Sequence, residues 1–104
     1  MMYNLRFAPE IEVEVLKARK WYNFKSIGLG DEFLELFYAS TLEIQENPLL
    51  YPKIHKYFHR RLMFRFPYAI YYRFENDEIV ILGCFHTSRN PNFITSSIEK
   101  RDKY

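Results

Sequence analysis

Three closely spaced runs of aromatic and β-branched residues in the second half of this chain most constrain what it can become. Tyr57 to Phe64, Tyr68 to Phe74 and Ile79 to Phe85 each have the composition of a strand, because such side chains fit a pleated, half-buried surface. Glu75-Asn76-Asp77-Glu78 separates the last two, and its central Asn and Asp tolerate the positive φ that a tight hairpin requires. Phe66-Pro67 separates the first two, since Pro67 cannot donate to a ladder and holds Phe66 extended. Three strands with two short connections make an antiparallel meander. The rest of the chain must be arranged around it.

The first half supplies the other layer. Met2 to Ala8 alternates, with Tyr3, Leu5 and Phe7 on one side, and reads as a short strand. Pro9 stands where a helix can start without its N–H, followed by Glu10, Glu12 and Glu14 near the positive end of the helix dipole. Ile11, Val15, Ala18 and Tyr22 then step by four, three and four residues, with Leu16 and Trp21 widening the stripe, which predicts a helix to about Phe24. After a turn through Gly28-Leu29-Gly30, Asp31 is the expected N-cap of a second helix whose apolar face carries Phe33, Phe37, Ser40 and Ile44. Asn47-Pro48 ends it. Leu49 to Lys56 reads as a loop, and past Pro91 the mostly polar residues allow either a short helix around Phe93–Arg101 or a frayed end.

Strand, helix, helix and three strands predict an α+β fold of one domain over residues 1–104. A two-helix antiparallel hairpin packs on one face of a four-stranded, mainly antiparallel sheet, and the opposite face is left for a partner. A chain of 104 residues, 48% hydrophobic and 27% charged, can enclose one core and no more. The single cysteine, Cys84, excludes an intrachain disulfide and a multi-cysteine metal site, and its place inside a strand predicts a buried, inert thiol. The start lacks a signal sequence and no apolar run approaches the roughly 18 residues of a membrane span, so a cytoplasmic protein with no membrane contact is expected.

Charge is unevenly spread. Residues 1–52 hold five Lys/Arg against eight Asp/Glu, giving −3, and residues 53–104 hold ten against five, giving +5, which together make the net +2. The sheet half is therefore expected to face something anionic, either nucleic acid or an acidic protein segment. Aromatic residues make up 19% of the chain, enough both to fill a core and to line a groove.

An ordered set of short motifs spans residues 21–91. It comprises Trp21-Tyr22, Gly28-Leu29-Gly30-Asp31-Glu32-Phe33, Asn47-Pro48, Tyr51-Pro52, Arg61-Leu62, Phe66-Pro67-Tyr68-Ala69-Ile70-Tyr71-Tyr72 and His86-Thr87-Ser88-Arg89-Asn90-Pro91. In this set the chain resembles the RelE/ParE superfamily of toxins from bacterial type II toxin–antitoxin systems, closest to the ParE-like, "plasmid stabilisation" branch. The resemblance implies a toxin that arrests growth and is neutralised by a cognate antitoxin; it leaves the target open, and the first expectation is inhibition of DNA gyrase, as in ParE-type members. The alternatives are a RelE-like endoribonuclease that cleaves mRNA on the ribosome, and a non-toxic binding module on the same fold.

Metal-free RNA cleavage needs a general base, a general acid and cations for the phosphorane. Many ribonuclease members begin the middle-strand pattern with an arginine, where this chain has Ala69, and some carry His-Tyr past the last strand, where it has Thr87-Ser88. The departures argue against a ribonuclease. If the chain is a ribonuclease, its candidates are Arg61, Arg65, His86 and Arg89; for contact with an acidic partner they are Arg61, Arg65, Arg73, His86 and Arg89, because guanidinium groups match carboxylates bidentately. Arg61 and Arg65 share a strand face if their strand continues unbroken. The i,i+4 pair His55 and His59 falls in a loop and a strand, so neither a metal nor a cofactor is expected.

Overall fold

A computed structural model describes residues 2–103. The elements run β1 (Asn4–Phe7), α1 (Glu10–Lys25), α2 (Leu29–Glu46), β2 (Lys53–His55), β3 (Phe58–Leu62), β4 (Tyr68–Glu75), β5 (Glu78–His86) and α3 (Pro91–Arg101). They form one sheet in the order β1-β5-β4-β3-β2. β1 lies parallel to β5, and every other pair is antiparallel.

The meander forms as its residues dictate. Asn76 and Asp77 take φ of 53° and 60°, the left-handed pair that a tight hairpin needs. One irregularity interrupts β4–β5: Tyr71 faces Gly83 while Tyr72 faces Ile81, so Leu82 is an extra residue that bends the ladder. The sheet has five strands where four were expected. Lys53–His55, read as loop, folds back on β3 with Lys53 opposite His59. Three residues following a proline are too few to show alternation, and β3 supplies the pairing. The first meander strand is also shorter than its composition suggests, because the Met63 N–H already bonds back to the Tyr68 carbonyl at 2.8 Å.

Ile11, Val15 and Ala18 of α1 and Phe33, Phe37, Thr41 and Ile44 of α2 are buried against one sheet face. Tyr22 joins them through its ring, 4.8 Å from Phe66 and 5.6 Å from Phe33. Leu16 and Trp21, expected to widen this stripe, are exposed instead. The helix cap is also displaced. α2 begins at Leu29 behind Gly28, whose φ of 86° suits glycine, and Asp31 lies inside the first turn. There Asp31 accepts from Arg19 Nε at 2.9 Å and from Asn23 Nδ2, which hold its carboxyl below the usual range. Gly30 marks the closest helix–helix approach: its N–H donates to Asn23 Oδ1 at 2.6 Å, and a Cβ there would sit 2.0 Å from the Arg19 carbonyl oxygen.

The second face is not left bare. Asn90 caps α3 by accepting from the Asn92 N–H at 2.8 Å, Pro91 fills the first helical position, and Ile94 and Ile98 are buried on the sheet. Residues Ile79 to Phe85 of β5 are therefore buried along their whole length, as a strand covered on both faces must be. Its edge is covered too. Past the end of β1, Glu14 accepts from the Cys84 N–H at 3.2 Å, Arg101 donates to the Leu82 carbonyl at 3.1 Å, and Arg101 Nη2 pairs with Glu14 at 2.7 Å. Helices from opposite faces thus meet around a strand edge that would otherwise expose unpaired groups.

Candidate functional site

The five candidates drawn from sequence divide among separate environments. Arg61 pairs with Glu43 of α2, caps the Leu62 carbonyl at 2.6 Å and lies 5.1 Å above the Tyr51 ring. Arg65 pairs with Glu32 at 2.9 Å, also on α2. The two do not share an unbroken strand, since β3 ends at Leu62 and Arg65 turns the chain with φ of 73°. Arg73 projects from the other face, where it and the Tyr57 hydroxyl both bond Asp102 just past α3. Tyr57 loses acidity as a result, chiefly through its hydrogen bond to that carboxylate. Three of the five arginine and histidine candidates are thus engaged by carboxylates of this chain.

His86 and Arg89 are the two that the fold brings together. They line a groove of about 680 Å³ between α1 and the start of α3, at the C-terminal end of β5. The wall on α1 carries Val13, Lys17, Lys20, Trp21 and Phe24, one side of the helix at four- and three-residue steps, and the opposite wall carries Phe85 and Phe93. Trp21 is 53% exposed and Phe24 83%, unusual values for large apolar side chains that sit side by side. Arg89 has no carboxylate partner among the described residues and lies 4.1 Å from the Phe93 ring centre. Lys25 sits 4.4 Å over the Trp21 ring.

His86 accepts at Nδ1 from the Ser88 N–H at 3.1 Å and faces the Ser88 hydroxyl at 2.8 Å. Its ring meets the Tyr68 ring edge-on at 5.3 Å. Burial raises the Tyr68 hydroxyl, and it pushes the Cys84 thiol far above its ordinary range, with Glu14 adding to the effect. Burial therefore favours the Cys84 thiol over the thiolate. Chemically the groove offers cations, ring faces and apolar surface. That combination suits an amphipathic segment bearing carboxylates.

His55 and His59 point to different partners. His55 meets Glu99 of α3, and His59 is buried with Nδ1 2.7 Å from the Tyr51 carbonyl, stacked on Tyr72. Among the described residues no group of three or more His, Cys, Asp or Glu is placed to hold a metal ion, and no helix is long and apolar enough to cross a membrane. In the sequence Trp21 reads as part of the apolar stripe and Phe24 as the end of its helix. Their outward position follows from helix rotation against the sheet, which periodicity alone left open.

No protein-family model matches the chain, and no curated protein matches it. Among solved structures it is similar to a chain described as "Chromosomal ParDE TA system from P. aeruginosa", with a TM-score of 0.73 and 13% identity over 82% of this chain and 96% of that one. At that identity the likeness is one of fold. The chain has the α+β, ParE-like fold that those motifs resemble.

Proposed function

We propose that this protein is the toxin of a type II toxin–antitoxin system, neutralised by a cognate antitoxin, with DNA gyrase as its target. The supporting observation is the groove beside α1, where Trp21, Phe24 and Phe93 stand exposed next to Lys17, Lys20 and Arg89, while the carboxylate in its lining, Glu14, is engaged by Arg101 and the Cys84 N–H. An antitoxin segment alternating apolar and acidic residues would bury those rings and neutralise those cations. The fold likeness to a ParDE chain supports the same reading.

The ribonuclease reading draws on His86 and Arg89 sharing the groove. Against it, His86 Nδ1 is occupied by Ser88, and Arg61, Arg65 and Arg73 are held by Glu43, Glu32 and Asp102. A phosphorane would have to draw those cations away from carboxylates that already match them.

Induced expression in bacteria separates the readings. Growth arrest with a DNA-damage response, and inhibition of gyrase supercoiling with trapped cleaved DNA, are expected of the purified chain. Cleavage of mRNA at ribosomal A sites would replace the gyrase reading with the ribonuclease one. Growth without arrest would leave only the binding module. Co-expression of a neighbouring short reading frame that restores growth identifies the antitoxin, and Trp21→Ser with Phe24→Ser is expected to abolish that rescue.

A further inference from the structure

A different surface remains open at the other side of the sheet, and its reading does not depend on the toxin assignment. β2 is so short that it covers only the first part of β3: the Arg60 N–H bonds the Pro52 carbonyl at 2.9 Å, and pairing stops there. Along an antiparallel strand alternate residues direct their backbone groups to the same neighbour. The Met63 N–H is directed to β4, so that of Leu62 points outward, where no acceptor among the described residues meets it. The Leu62 carbonyl, on the same edge, is capped only by the Arg61 guanidinium. Beside this stretch lies a groove of about 500 Å³ lined by Arg60, Arg61, Leu62 and Phe64 among others, with no carboxylate in its lining. Leu62 is 55% exposed and Phe64 75%.

We infer that the open edge of β3, from Arg60 to Phe64, is a docking site for an extended, acidic segment of another protein, which adds a strand to the sheet. The ladder would use the free Leu62 N–H. Apolar side chains of the segment would cover Leu62 and Phe64, and its carboxylates would meet Arg60, which has no carboxylate partner among the described residues. A second copy of this chain fits poorly, because edge-to-edge pairing would bring Arg60 and Arg61 of each copy toward their counterparts, and like charges across a strand pair are destabilising. The opposite edge, β1, offers less: it has four residues, and at its start Gln45 already donates to the Tyr3 carbonyl at 2.6 Å.

The test uses the whole chain, labelled for NMR, with a capped synthetic peptide that alternates Glu and Val. Two controls accompany it: a Lys/Val peptide of equal length, and the Glu/Val peptide N-methylated at alternate amides so that it cannot complete a ladder. The Glu/Val peptide is expected to slow Leu62 amide exchange about tenfold or more, and both controls are expected to leave it unchanged. Leu62→Pro removes the donor and is expected to abolish binding while circular dichroism stays native; if that variant fails to fold, the N-methylated peptide still decides. No protection by the Glu/Val peptide, or equal protection by the controls, overturns the site. Protection of Leu62 that rises with protein concentration in the absence of peptide also overturns it, in favour of self-association.

Discussion

Two regions of this small protein hold most of its chemistry, and they treat charge in opposite ways. Around the sheet, Arg61, Arg65, Arg73 and Arg101 each find a carboxylate of the same chain: Glu43, Glu32, Asp102 and Glu14. In the groove between α1 and α3, Arg89 lies against aromatic rings, and Trp21 and Phe24 contribute little to the core. A guanidinium that is already paired fixes the position of an element. One that faces rings and solvent is free to meet a partner. Charge read along a sequence does not distinguish the two.

Substitutions sharpen this contrast, the largest effect first. Ile70 is fully buried at the centre of the sheet, between β3 and β5. Ile70→Asp places a charge where nothing answers it and is expected to cost about 4 kcal/mol or more, read as loss of a cooperative thermal transition. Near-normal melting would contradict that placement. Arg73→Ala strips the ion pair from Asp102, both side chains being mostly buried, and is expected to cost about 2 kcal/mol in urea unfolding. Arg61→Ala is expected to cost about 1 kcal/mol, less because Glu43 is largely exposed.

The groove variants should separate in the other direction. Arg89→Ala and Trp21→Ser are each expected to change stability by less than about 0.5 kcal/mol, while weakening capture of the antitoxin or growth arrest. Stability losses matching that of Arg73→Ala would erase the distinction between the two regions. The smallest effect concerns pH. Hydrogen bonds from His55 and Lys56 hold the Glu99 carboxyl below its usual range. Its folded value is depressed, so its contribution is present above the unfolded carboxylate range and is lost as pH falls through the folded value. Glu99→Gln should therefore narrow the stability difference between neutral and acid pH, measured by paired thermal melts.

The lesson about legibility comes from particular residues. Asn76-Asp77 announced its turn because few residue types accept two successive positive φ values, and Ile11, Val15 and Ala18 announced a buried helix face because a helix repeats every 3.6 residues. Gly28 and Gly30 were visible as a turn but not as two separate requirements, one for backbone conformation and one for space against Arg19. β2 was not legible, since three residues carry no period. Nor was the closure of the β5 edge by Glu14 and Arg101, which lie 87 positions apart in a chain whose local patterns extend over a few residues.

Sequence by itself determined the order of the elements apart from β2 and α3, the hairpin, the helix faces that meet the sheet and the motifs that point to a ParE-like fold. Those are local matters of period, turn chemistry and side-chain type. Tertiary structure decided which arginines are paired, which aromatics face outward, that α3 covers the second face, and where the sheet stays open. Each depends on contacts between residues far apart in the chain, and such contacts leave no trace in the spacing of neighbours.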